Sequence, residues 1–426
     1  MEKNSKRWKR YQYMLCILLL TGLLAIPVLL YYEIYSRVPG NIMLRSGLEQ
    51  RLDFEVPVSG ELYREDAIPA ISVPIQLNKP VTILAGPSEQ YKMNLRLFGM
   101  IPLKHVDVQV IEDRTLIPAG IPIGIYVKTE GVLVIGTGKF KGIDGLWQEP
   151  AVPVLQAGDY IEAIDGVSVY GKRDFVNRMK DCKGEEVILT VNRNQEEIPI
   201  RLQPAANEMG EYKAGIWIRD SAQGIGTLTY LDSQGRFGAL GHGINDMDTS
   251  SLMSLEYGTL YQTKILSVNK GENGKPGELT GVIQYMDENI LGEIAANTTE
   301  GIFGICNEQL AQMVQTTALP IGLKQEIEIG PAQILCTIDG QTQSYQVAIN
   351  KVDYVTSSVN RGILLEVTDP RLLSETGGIV QGMSGSPIIQ NGKIIGAVTH
   401  VLVQDSTKGY GVFIENMLES MNQMTN

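Results

Sequence analysis

In Gly-Gly-Ile-Val-Gln-Gly-Met-Ser-Gly-Ser-Pro, residues 377–387, Ser384 stands two places after Gly382 and directly before Gly385. In its plainest form this is a tight turn into a strand, since glycine and serine are ordinary turn residues. The chemical reading is a nucleophile whose flanking backbone lies close to a substrate carbonyl, with the N–H groups of Met383 and Ser384 as an oxyanion hole. A serine hydroxyl is too weakly acidic to attack an amide unaided and needs a base and an orienting carboxylate. His242, between Gly241 and Gly243, is the preferred base, because a ring flanked by glycine faces an open cleft. His400, one hairpin beyond the serine among apolar neighbours, is the competing base and otherwise a cleft-lining or core residue. Asp369, Asp246, Asp353 and Asp287 are open as the acid, and Asp369-Pro370 also reads as a helix cap before Arg-Leu-Leu-Ser-Glu-Thr. Cys306 lacks a glycine-lined elbow, and no histidine or cysteine pair has ligand spacing, so no metal or cofactor is expected.

These residues need strands to hold them. Pro387–Gln390 runs into Asn391-Gly392 and returns as Lys-Ile-Ile-Gly-Ala-Val-Thr-His-Val, which predicts a hairpin behind the serine. An alternating run from Gly215, turning at Asp232–Gly235, predicts a second hairpin that delivers His242 to a strand end. Further short strands with turns every eight to twelve residues point to a sandwich or barrel over 205–426. By analogy with two-barrel proteases, Gly-Ala-Val-Thr-His-Val and Lys-Gly-Tyr-Gly-Val-Phe-Ile-Glu-Asn are expected to wall a specificity pocket. Earlier, 33–114 alternates in short prolines-and-strands fashion and reads as a stalk or accessory β region, with His105 on an exposed strand face.

The 426 residues have room for two or three domains, and the net charge of −12 argues against nucleic acid as a partner. Positive charge gathers in the tail 1–13, ahead of the apolar run 14–32 and Tyr31, Tyr32 and Tyr35. That order predicts an uncleaved transmembrane signal-anchor with the body outside the cytoplasm, since roughly 20 apolar residues cross a bilayer.

Ala157-Gly158-Asp159-Tyr160-Ile161 with Ile164-Asp165-Gly166 resembles a PDZ domain of the bacterial-protease type, covering 115–204 with 138–148 as an insertion. The resemblance implies that an extended peptide adds as a strand beside a glycine-containing loop, best matched by Pro122 with Ile123, Gly124 and Ile125. Gly-Met-Ser-Gly-Ser-Pro before an apolar hairpin, with a glycine-flanked histidine upstream, resembles the chymotrypsin-like proteases of two β-barrels. Anchor, PDZ unit, Gly-Ala-Leu-Gly-His-Gly-Ile-Asn-Asp and Val-Thr-Asp-Pro together resemble the stage IV sporulation protein B family of serine peptidases. That resemblance implies a mainly β chain, with a double-barrel protease domain in 205–426, and assigns Ser384 as nucleophile, His242 as base and Asp369 as acid. It further implies self-cleavage and cleavage of a membrane-bound sporulation regulator from the forespore side, leading to pro-sigma-K processing. The alternatives are a non-catalytic PDZ scaffold and a general quality-control protease of the HtrA kind.

Overall fold

The computed structural model describes residues 2–64, 72–86, 90–355 and 358–423. Helix α1 (Glu2–Arg37) leaves most of its apolar side chains from Met14 onward exposed. Its segment Tyr11–Arg37 is long and apolar enough to cross a membrane. The side chains of 1–7, 9 and 10, which include most of the expected basic tail, lie outside the described residues.

Two compact units divide the chain. The first comprises Met1–Arg114, Leu323–Glu328 and Lys351–Ser358. Its five-stranded sheet runs Asn41–Arg45, Ile101–Ile111, Gln90–Leu97, Val58–Tyr63, Ser72–Gln76. Alternation along these strands buries Ile42, Leu44, Met93, Leu95, Val106 and Val108 in one core. The region expected as a stalk thus has a hydrophobic interior of its own, and His105 pairs across the sheet with Asn94.

The second unit opens its first barrel with β1 (Pro122–Thr137), a strand nearly three times the ordinary length. Its first half stays in the barrel and its second half enters another sheet, beside β2 (Tyr160–Ile164), β3 (Val187–Arg193) and β4 (Glu196–Leu202). Gly131 makes the bend. Its φ is +64°, and a Cβ there would lie 2.2 Å from the Ile161 carbonyl oxygen, so only glycine fits. Helix α2 (Lys172–Asp181) turns Phe175 and Met179, four residues apart, onto this sheet's core of Val132, Ile161 and Leu189.

Strand β5 (Ile216–Leu231) returns antiparallel to all of β1. Then come β6 (Arg236–Ala239), β7 (Tyr257–Asn269), β8 (Glu278–Ile283), β9 (Ile290–Thr298) and β10 (Gly301–Cys306). The pairings β1–β7–β9–β10–β6–β5–β1 close a six-stranded ring around Ile123, Val127, Leu228, Phe237, Leu260 and Ile302. A second closed barrel follows, from β11 (Gly330–Thr337), β12 (Thr342–Val352), β13 (Ile363–Val367), β14 (Pro387–Gln390), β15 (Lys393–Leu402) and β16 (Asp405–Phe413). The expected pair of barrels is therefore present. The first barrel, however, takes its opening strand from the segment assigned to the PDZ unit, and the α2 sheet is an insertion between β1 and β5 rather than a separate preceding domain.

That arrangement also corrects the expected peptide loop. Ile123, Gly124 and Ile125 pair with Gly226, Ile225 and Gly224 on one side and with Gln262, Tyr261 and Leu260 on the other. With both edges in ladders and Ile123 fully buried, these residues have no free backbone for a ligand.

Candidate active site

The loop 377–386 leads into β14 of the second barrel, and its backbone is tied to both barrels. On one side Thr227 of β5 donates its N–H to the Ser384 carbonyl at 2.9 Å and its hydroxyl to the Gly382 carbonyl at 2.7 Å. On the other, Gly385 N–H donates to Val398 O at 2.7 Å, and Val398 N–H to Ser386 O at 2.9 Å. Gly385 serves this docking rather than substrate access. A Cβ on it would lie 2.0 Å from Thr227 O and 2.6 Å from Leu240 N, at a φ of +100°. Gly385→Ala should therefore destabilise the protein by roughly 2–4 kcal/mol, read as a lower thermal midpoint.

The docked loop holds Ser384 in a cavity of about 570 Å³, lined also by His242, His400, Asp246, Gly382 and β5 residues 221–225. The Ser384 hydroxyl donates to the Thr399 carbonyl at 2.7 Å. Among the described residues, the N–H groups of Ser384 and Gly382 have no acceptor, whereas Met383 N–H donates to Val380 O at 3.1 Å. The expected oxyanion pair is thus corrected at one member. Ser384 qualifies, Met383 is engaged in its own turn, and Gly382, two residues before the nucleophile, supplies the second free donor.

His242 follows β6 through Leu240 and Gly241, both at positive φ, which swing the ring into the cavity. Its Nδ1 lies 2.8 Å from the Gly243 carbonyl. A carbonyl only accepts, so Nδ1 carries the proton there and Nε2 presents its lone pair, the tautomer a general base requires. Burial holds the His242 pKa below its ordinary 6.5. His400 stands against this ring at 4.9 Å between centroids, its Nδ1 buried with no partner among the described residues. Burial, then the His242 charge, push its pKa down to about 4, so it is neutral at neutral pH.

The structure does not bring Asp369 to this pair. Its carboxylate caps α3 (Pro370–Thr376) through Arg371 N–H at 2.9 Å, pairs with the Arg371 guanidinium at 2.8 Å and accepts from Gln346 N–H at 3.2 Å. Arg371 holds its pKa down to about 2. A depressed carboxylate stabilises the fold above its unfolded value of 3.8, and the contribution disappears as pH falls through 2. Asp369→Asn should accordingly cost about 2 kcal/mol at pH 7, and acid unfolding of the variant should lack the step between pH 4 and 2.

The other carboxylates are also engaged elsewhere. Asp246 forms the cavity wall but binds Arg219 and the N–H groups of Asp248 and Thr249. Burial raises its pKa, and these donors outweigh that and keep it ionised. Asp353 pairs with Lys351 at 2.8 Å, and Asp287 opens a single 3₁₀ turn. Burial raises the Cys306 thiol pKa, the opposite of a nucleophile's need. Of the two segments expected to wall the pocket, only His400 lines the cavity. Arg219 and 221–225 of β5 also line the cavity, and these residue types carry no catalytic signal in sequence.

No curated protein matches the chain. Among solved structures, the HtrA-type protease AlgW with decapeptide aligns at 10% identity and TM-score 0.29, over 49% of this chain and 54% of that one. A serine endoprotease from Yersinia pestis aligns at 13% and 0.28, over 47% and 57%. Rv3671c protease from M. tuberculosis, in its active form, aligns at 14% and 0.26, over 48% and 74%. The chain thus spans little more than half the length of the first two. Residues 210–418, which hold Ser384, His242 and all but β1 of the two barrels, match the family model described as SpoIVB peptidase S55. By this segment, just under half of its length, the chain is similar to the SpoIVB peptidase S55 family.

Proposed function

We propose that the chain is a serine endopeptidase with Ser384 as nucleophile, His242 as general base, and the Gly382 and Ser384 N–H groups as the oxyanion hole. One observation carries the assignment: a single cavity holds the hydroxyl, two unengaged N–H donors and an imidazole whose tautomer is fixed by Gly243. The Ser384 hydroxyl leaves Thr399 O for Nε2 of His242, which lines the same cavity. His242 removes the proton as Oγ attacks the peptide carbonyl, and the two N–H groups receive the developing charge. The imidazolium then protonates the leaving amine, and water releases the acyl group by the same steps in reverse. The Gly243 carbonyl and the neutral His400 ring hold His242 during transfer, in the place where a carboxylate was expected. Asp369 supports the reaction by fixing α3, and with it the end of the chain segment that leads into 377–386.

A base must be neutral to accept a proton. Because burial holds the His242 pKa below 6.5, the midpoint of the acid limb of kcat/KM against pH should fall below 6.5, with more than half-maximal activity at that pH.

The family's name and the exposed apolar helix support a finer reading. The protein is a single-pass membrane enzyme of endospore formation whose body lies outside the cytoplasm, in the space beyond the forespore membrane. It cuts itself near the anchor and cuts a membrane-bound regulator of the stage IV sporulation protein FA type, which releases an intramembrane protease to process pro-sigma-K. The α2 sheet is a PDZ module that presents or regulates the substrate. Full-length protein and its Ser384→Ala form, incubated with denatured casein and with the regulator's extracytoplasmic domain, test this by N-terminal sequencing of fragments. Fragments common to both forms would overturn the peptidase assignment, and casein cleavage without regulator cleavage would overturn the finer reading.

A further inference from the structure

We propose that the free edge of β5 is a substrate track that joins the catalytic cavity to a second, apolar subsite beside α2, and that it takes an extended polypeptide with an apolar residue C-terminal to the scissile bond. The inference rests on the peptidase assignment and specifies how its substrate is held. From Ile216 to Gly226, β5 pairs with β1 on one side, and among the described residues no strand pairs with its other edge. The edge is engaged again at Thr227, whose N–H is bonded to the Ser384 carbonyl, so the open stretch ends at the nucleophile. Its near part, Arg219 and 221–225, forms the wall of the catalytic cavity.

The far part, Ile216–Ile218, faces a groove of about 480 Å³ whose opposite side is Phe175, Val176 and Met179 of α2. There Trp217 is 68% exposed and Val176 43%, next to buried Phe175 and Met179. A large aromatic side chain left in water beside an apolar hollow is the composition of a binding subsite. Main-chain bonds to the edge supply affinity, and the groove supplies selectivity.

The extended polypeptide is favoured over a second copy of the chain by two irregularities in the β5–β1 pairing, at Trp217/Ile218 and Arg219/Ser221, where β1 carries the extra residues and the ladder bends. Such irregularities twist an edge away from flat pairing between identical strands. An added strand pairs antiparallel to β5, the more stable arrangement. Because β5 runs from groove to nucleophile, the bound chain runs from nucleophile to groove. Ile225 and Trp217 are eight positions apart along β5, and an added strand advances at nearly the same rise, so the apolar residue falls roughly six to eight residues after the cleaved bond.

The test uses full-length protein in detergent and fluorogenic peptides built on a bond it cleaves in denatured casein. A series carries a single Phe at 2, 4, 6, 8 or 12 residues after that bond in an otherwise Ser/Thr extension. The expected result is a kcat/KM maximum at six to eight, at least tenfold above the unextended peptide, carried by KM. In Trp217→Ala and Val176→Asp the ratio of extended to unextended peptide should fall to about one. A flat series, or a ratio that survives both substitutions in active enzyme, overturns the track. So does a ratio that changes with enzyme concentration, since that would place a second copy on the edge. Absence of any Ser384-dependent cleavage, by contrast, would overturn the peptidase assignment itself.

Discussion

Ser384→Ala should yield a folded protein whose kcat for peptide hydrolysis is lower by about 10⁴–10⁶-fold, the usual cost of removing a serine nucleophile. The fold should persist because the contacts that dock the loop are made by backbone. Thr227 N–H to Ser384 O, Thr227 hydroxyl to Gly382 O and Gly385 N–H to Val398 O all remain in the alanine form. Only the hydroxyl bond to Thr399 O is lost, worth about 1 kcal/mol. A thermal midpoint within a few degrees of the parent, together with loss of casein and peptide cleavage, separates chemistry from unfolding. Retained turnover at more than a tenth of the parent rate would remove Ser384 from the mechanism.

His242→Ala should depress kcat by a comparable 10⁴–10⁶-fold, because a serine–histidine pair acts as a unit and either loss removes proton transfer. The ring is held by one local bond to Gly243 O and by contact with His400, so its loss should cost the fold little. A second readout is independent of activity. Burial and then the His242 charge depress His400 to about 4, and truncating His242 both opens the cavity and removes that charge. The His400 pKa, followed by NMR, should therefore rise in His242→Ala. If His242→Ala keeps its turnover while His400→Ala loses it, the base has been assigned to the wrong ring.

The parts legible in sequence were those encoded within a few residues. Asn391 and Gly392 both adopt positive φ, 51° and 72°, in the turn between β14 and β15, and few residue pairs tolerate this. Phe175 and Met179 gave α2 for the same local reason, as did the alternation behind His242. The misread parts depend on distant partners. A glycine between isoleucines at 123–125 looks the same in a ligand loop as in a strand paired twice, and the choice rests on residues 224–226 and 260–262. Asp369 followed by Pro370 and Arg371 carries the signal of a cap, and a capping carboxylate and a catalytic one have the same chemistry until Arg371 and Gln346 are seen to hold it. Met383 and Gly382 differ only in where a peptide N–H points within one turn. That direction follows from the docking of 377–386 onto Thr227, 155 residues earlier.

Covalent trapping tests the account at its centre. Full-length protein treated with a fluorophosphonate should carry one adduct on the tryptic peptide containing Ser384. The labelling rate should fall on acidification below pH 6.5, and drop by several orders of magnitude in His242→Ala. An adduct elsewhere, or labelling of Ser384 at an unchanged rate without His242, would contradict the cooperation of hydroxyl and imidazole on which the mechanism is built.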